Sequence, residues 1–192
     1  MNIRYTAPKT NSFSKWFNII SFEINGSTAY GVVSLSGGDN FDANRAGGML
    51  IEQIQNSLIE SGNDKDNLSL LKKALKEAKQ GLLRITENST DIDVNLIDVY
   101  IVITLIDSDV AYFAKFDGGG VYIMRDGEII DITAHLHDPS GINQIFLGSG
   151  LINEGDKILL STKHFEEGTA DAEFKNAEFE QEVNDYVLLM LG

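Results

Sequence analysis

Two periodicities divide this chain. Over residues 16–35 apolar side chains recur near every second position, the spacing of a half-buried strand. Residues 16–24 (Trp16, Phe17, Ile19, Ile20, Phe22, Ile24) are predicted as one strand and 28–35 (Ala29, Tyr30, Val32, Val33) as its return, joined by the turn Asn25-Gly26. The period then lengthens. Residues 43–60 carry Ala46, Gly47, Leu50, Ile51, Ile54 and Leu58 at spacings of three and four, one face of a helix. Asn40 or Asp42 can cap its start, and Gly62 stands past its end. A second helix is predicted over 67–86, with Leu71, Leu75, Ala78 and Leu82 as its buried seam. After that β-branched and aromatic residues return, and strands are expected at 97–106, 110–116, 121–124, 129–133, 144–147, 157–161 and 184–191. The stretch 113–133 reads as three consecutive antiparallel strands, interrupted by Gly118-Gly119-Gly120 and by the hairpin turn Asp126-Gly127. Residues 144–147 lead to Gly148-Ser149-Gly150, and 1–14 is expected to start as a loosely held polar arm. With no internal repeat and no linker, residues 1–192 make a single α+β domain with helices laid on antiparallel sheet.

Charge narrows the function classes. The chain has 29 acidic and 15 basic residues, a formal charge of −14, so phosphate backbones and anionic lipid would repel it. Nucleic acid and membrane surface are therefore not expected partners, and a protein partner with a basic surface is. The dense basic cluster Lys72, Lys73, Lys76, Lys79 lies on the second helix beside Glu77 and reads as a solvated face. The absence of cysteine removes disulfides, thiolate metal sites and a thiol nucleophile together. The first 14 residues lack a signal-like apolar core, and no apolar run reaches the roughly 20 residues of a membrane helix, so the expected location is the cytoplasm.

Several small constellations invite chemistry. His135 and His137, two apart beside Asp138, have the spacing of two imidazoles on one side of an extended strand, but a polar loop accounts for them too. Ser161, Thr162 and His164 offer a hydroxyl and a base without an orienting acid. Ser36-Gly37-Gly38-Asp39 and Asp117-Gly118-Gly119-Gly120 can be phosphate cradles or tight turns. The acidic stretch 165–182, with Phe165, Phe174, Phe179 and a short helix near Ala177, is either a docking segment or a flap packed on the core.

Taken in order, four segments resemble the type 2C family of metal-dependent serine/threonine protein phosphatases. Residues 30–39 (Y-G-V-V-S-L-S-G-G-D) are similar to the family strand ending in D-G-M-G-G-H, and 98–106 to the strand beginning G-T-T-A. Residues 113–133 resemble V-A-N-V-G-D-S-R-A-Y-L-x-R-D-G-x-x-x-x-L-T, with Tyr122, Arg125, Asp126, Gly127 and Thr133 in register. Leu147-Gly148 and 154–161 resemble L-G followed by P-G-D-x-L-L-L-x-S-D-G-L. The resemblance covers most of 28–191. It implies an α-β-β-α sandwich, two antiparallel sheets flanked by helix pairs, of the short bacterial type.

It also implies a hydrolase of phosphoserine and phosphothreonine using two Mg²⁺ or Mn²⁺ ions held by carboxylates, which activate a bridging water. The acids are missing where the motifs would put them. The family Asp of D-G-M-G-G-H falls on Ser34 and the following ligand glycine on Leu35, ahead of the retained Gly37 and Gly38. The Asp of G-D-S-R falls on Gly118, that of S-D-G-L on Thr162 (followed by the cation Lys163), and that of the closing pair on Asn184. The upstream N-E-D segment should lie near Ser12 and Phe13, where there is no acid. The expectation is a pseudophosphatase with no catalytic residue and no metal, which binds a protein partner, basic or phosphorylated. The alternative is a divergent phosphatase holding Mg²⁺ or Mn²⁺ with Asp39, Asp117 and Asp185. A third reading, an amidohydrolase with an N-terminal nucleophile, requires Met1-Asn2 to be trimmed back to a hydroxyl residue.

Overall fold

The first hairpin forms where the alternation predicts it. Strands β2 (Lys15–Ile24) and β3 (Ser27–Ser36) pair antiparallel, with Ile19 opposite Val32. The structure, a computed structural model, describes residues 2–3, 12–24, 26–60, 66–87, 93, 96–134, 144–163, 165 and 186–191. Within the stretch expected to be a loose arm, strand β1 (Asn2–Ile3) pairs with β10 (Tyr186–Met190) at the far end of the chain, and residues 4–11 lie outside the described ones.

Helix α1 (Ala43–Glu60) begins at Asp42, whose Oδ1 accepts the Arg45 N–H at 3.0 Å and so satisfies one of the donors left open at a helix start. Helix α2 (Asn67–Glu87) begins in the same way at Asp66, which takes the Leu68 N–H at 3.1 Å and the Ser69 hydroxyl. The Ser69 bond holds the Asp66 carboxyl below the usual carboxylate range. Both helices lay their buried seams on one face of a sheet ordered β2-β3-β4-β5-β8, where β4 is Asp98–Asp107, β5 Val110–Phe116 and β8 Ile145–Leu151. At Gly47 the fit is close: a Cβ there would stand 2.3 Å from the Trp16 ring.

A second sheet runs β1-β10-β9-β6-β7, with β6 Gly120–Arg125, β7 Glu128–Asp131 and β9 Lys157–Ser161. Its Val121, Ile123, Ile158, Leu160, Val187 and Leu189 meet Phe17, Tyr30, Val32, Val102 and Phe113 of the first sheet, forming the core between the sheets. The expected run of three strands over 113–133 is therefore corrected. Strands β5 and β6 are consecutive but belong to different sheets, and the triple glycine carries the chain across the gap between them. The strand expected at 144–147 is longer than that: it runs on through Gly148-Ser149-Gly150, which lie inside β8. Gly148 sits opposite Phe113, whose ring would be 2.4 Å from a Cβ at that position, so the missing side chain makes room for the ring within a paired strand.

On the outer side of the second sheet Tyr122 and Leu159 are a buried cross-strand pair. Phe165 stacks on Tyr122 with ring centroids 4.9 Å apart and donates its N–H to the Tyr122 hydroxyl oxygen at 2.7 Å. Phe174, Phe179 and the helix expected near Ala177 lie outside the described residues. Among those residues no helix is long and apolar enough to cross a membrane.

Candidate functional site

Alternation along β3 and β4 decides what reaches the space between the sheets. In β3, Val33 and Leu35 join the helix-side core while Tyr30 and Val32 face the second sheet, so Ser34 shares the inter-sheet side and Leu35 points away from it. In β4, Val99, Ile101 and Ile103 face the helices and Val102 the second sheet. Tyr100 is on the side of Val102 and stands directly opposite Ser34. The chain crosses between the sheets at this end through Asp117-Gly118-Gly119-Gly120, and β9 ends here at Ser161-Thr162.

The crossing lies flush against both sheets. A Cβ on Gly118 would stand 3.0 Å from Cδ1 and Cε1 of Tyr100 and 3.7 Å from the Thr162 carbonyl oxygen. Gly119 has φ +90°, and a Cβ there would fall 2.4 Å from the Ser161 carbonyl oxygen and 2.7 Å from Cγ2 of Val102. Asp117 also adopts the left-handed conformation (φ 57°) and donates its N–H to the Gln144 carbonyl at 3.3 Å. Ser34, Gly118 and Thr162 are thus brought to one place, around the ring of Tyr100. That ring stands against the spot from which a side chain at 118 would project. Burial first, then the charges of Asp98 and Asp117, raise the Tyr100 phenol above its ordinary value and keep it neutral.

A second residue that sequence reasoning passed over is Lys115. It shares the inter-sheet side of β5 with Phe113, and its exposure is 0%. Its Nζ donates to the Gly119 carbonyl at 3.1 Å and lies 5.2 Å from the Phe146 ring centroid. Burial lowers its pKa, and the Asp131 carboxylate pulls the other way. The signal was available: in a strand, residue 115 must face the same way as Phe113. The cation singled out from the motif, Lys163, is exposed.

The motif residues in register hold the scaffold. Arg125 grips Asp156 with Nε on Oδ1 at 3.0 Å and Nη2 on Oδ2 at 2.6 Å, and donates from Nη2 to the Leu151 carbonyl. Asp156 is 2% exposed and takes the Asn153 N–H as well. The Arg125 bond leads the causes that hold its carboxyl below the usual range. Asp126 (φ 53°) and Gly127 (φ 83°) make the tight turn of the β6–β7 hairpin. Thr133 accepts the Val121 N–H on Oγ1 and donates from its own N–H and hydroxyl to Asp131. Burial pushes the Tyr122 phenol up to about 12.

The remaining candidates scatter. Gly37 and Gly38 form a turn rather than an open cradle: a Cβ on Gly37 would stand 2.4 Å from the Phe41 ring, and Phe41 N–H bonds the Gly38 carbonyl. Asp39 is exposed in that turn. The Ser161 hydroxyl is buried and accepts the Lys163 N–H at 3.0 Å. His135, His137, His164, Asn184 and Asp185 lie outside the described residues. Among the described residues no three acidic or histidine side chains gather as a metal site.

No protein-family model matches the chain, and no curated protein matches it in sequence. Its structure does match solved ones. The catalytic domain of the serine/threonine phosphatase PstP, solved with two manganese ions, superposes with a TM-score of 0.67 at 12% identity, over 100% of this chain and 97% of that one. The chain has the type 2C phosphatase fold. The S. agalactiae serine/threonine phosphatase shows the same likeness (TM-score 0.59, 14% identity, 99% and 98% covered). So does the phosphatase MsPP from Mycobacterium smegmatis, solved with cacodylate (TM-score 0.52, 14% identity, 95% and 100% covered). Within this phosphatase fold the described helices are one flanking pair. The inter-sheet end built by Ser34, Tyr100, Gly118 and Thr162 is the place to which the motif resemblance assigned the family's cleft.

Proposed function

We propose that this domain keeps the phosphatase fold but does not hydrolyse phosphoesters, and acts by binding a protein partner, basic or phosphorylated. One observation carries the reading: the ring of Tyr100 packs against Gly118, where the motif would require a metal-binding aspartate. Mg²⁺ and Mn²⁺ need several hard oxygen ligands, most of them charged, to replace their hydration shell. Ser34, Thr162 and a glycine supply no charge, and the Lys115 ammonium buried beside this turn adds charge of the wrong sign. The described residues at this end do not fit a two-metal centre.

Asp117 favours the divergent-phosphatase alternative, since its charge reaches Tyr100 at this end of the molecule. Two measurements separate the readings. The purified protein with Mn²⁺ is expected to leave p-nitrophenyl phosphate and a phosphothreonine peptide intact, and calorimetric titration with Mn²⁺ to show millimolar binding or none. Turnover that chelator abolishes, or micromolar Mn²⁺ binding lost in Asp117→Asn, would overturn the proposal.

A further inference from the structure

An apolar opening lies on the other face of the first sheet, between the helices and the ends of β4 and β5. It is a groove of about 80 Å³ floored by Val99, Ile101 and Phe116 and walled by Leu50, Leu82 and Leu83, with Asp117 also in its lining. Leu83 stands 43% exposed at its rim. The Lys79 ammonium, also lining the groove, lies 5.2 Å above the Phe116 ring.

Helix α2 continues this opening as a stripe. Lys72, Lys76, Lys79 and Leu83 are spaced i, i+4, i+7 and i+11, which stacks them along one helix face, and Lys72 and Lys76 are exposed. Helix α2 carries five basic residues (Lys72, Lys73, Lys76, Lys79, Arg84) against Glu77 and Glu87. In a chain of net charge −14 this is a local reversal of sign.

We infer that the α2 stripe and the groove at its end form a docking site for an acidic amphipathic segment of a partner protein. Apolar side chains of that segment fill the space over Val99 and Phe116, and its carboxylates lie along Lys72 and Lys76. The combination selects this occupant. A polyanion without apolar anchors, such as nucleic acid, leaves the groove empty and meets the repulsion of the rest of the molecule. A purely apolar segment leaves the lysines unanswered. A helix presenting leucines at i, i+3 and i+7 with glutamates between them answers both. The inference rests on the binding role proposed above but gives the partner an acidic segment at this surface, where the local charge is reversed, in place of the basic one that the overall charge favours. Phosphatase turnover would sink that role and leave this titration unaffected.

The test is calorimetric titration of the whole protein with a synthetic 14-residue peptide carrying that leucine and glutamate pattern. Micromolar binding is expected, weakened about tenfold by Leu83→Asp and about tenfold by the double change Lys72→Glu/Lys76→Glu, a loss of about 1.4 kcal/mol each. Both substitutions are at exposed positions, and circular dichroism checks that each variant is folded. A peptide of the same charge with the leucines replaced by serine is expected not to bind. Equal binding by that peptide reduces the face to a basic patch and overturns the inference, as does wild-type affinity in both variants or no binding at all. Sedimentation showing a dimer lost in Leu83→Asp would assign the face to a second copy and overturn it as well.

Discussion

Two turns of the second sheet stand in different relations to the phosphatase motif. The β6–β7 turn, Arg125-Asp126-Gly127-Glu128, matches the phosphatase motif at its first three residues, and each matching side chain serves a mechanical purpose. Asp126 and Gly127 turn the chain, and Arg125 clamps Asp156. The β5–β6 crossing, Asp117-Gly118-Gly119-Gly120, departs from the motif, and at Gly118 and Gly119 its backbone lies against Tyr100, Ser161 and Thr162. The contrast separates two things a motif can report. Residues that hold a fold together testify to the fold, and residues that hold an ion to the reaction; at these two turns only residues of the first kind match the motif.

The sharpest way to break the comparison is at the crossing. Gly119→Ala forces an L side chain to φ +90° and drives its Cβ into the Ser161 carbonyl, where β6 pairs with β9. Backbone strain and overpacking together are expected to cost about 3 kcal/mol or more, measured by urea unfolding. Wild-type stability would mean that the crossing is not packed between the sheets.

The clamp is expected to come second. Asp156→Asn leaves the Arg125 guanidinium facing a neutral amide and is expected to lower Tm by about 5 °C. The sign of its pH dependence follows from the depressed Asp156 carboxyl. Its stabilisation is present above the ordinary carboxylate value and is lost as pH falls through the lower, folded-state value. The gap between wild type and Asp156→Asn should therefore be constant near neutrality and close only in strong acid. A gap that closes near pH 6 would point to another group.

Much of the fold is legible in the sequence itself. The limits of α1 and β5 follow from local signals: the Asp42 cap, the three-and-four spacing, and a run of β-branched and aromatic residues. Assignment of strands to sheets is not legible, because Phe116 and Val121 carry the same kind of side chain whether their strands pair or lie in opposite layers. Gly148 does not read as part of a strand because its reason for being glycine, the ring of Phe113, comes from another strand. The same holds for the site. That no acid stands at 34, 118 or 162 can be read from the sequence, but that Tyr100 sits against Gly118 depends on a contact between strands that local pattern does not specify.

A smaller effect sharpens that contact. Gly118→Asp restores the motif acid but places its Cβ 3.0 Å from the Tyr100 ring, and is expected to destabilise by about 1–2 kcal/mol. In the background of Tyr100→Thr the cost should shrink by about 1 kcal/mol, a coupling measurable by a double-mutant cycle. If the two changes are additive, Tyr100 does not occupy the acid's place, and the glycine needs another explanation.

The smallest effect is expected at Lys115, and it appears as a slope rather than a midpoint. Burial lowers its pKa in the fold, so the unfolded chain holds this proton more tightly than the native one. The resulting penalty is full below the folded-state pKa and disappears as pH rises from there towards the ordinary lysine value of about 10.4. Lys115→Met removes the penalty along with the bond to Gly119. Its stability relative to wild type should therefore be highest near neutral pH and decline across the alkaline range. A difference that does not change between about pH 7 and pH 10 would place the ammonium in contact with water, and the crossing would then be an open mouth rather than a seal.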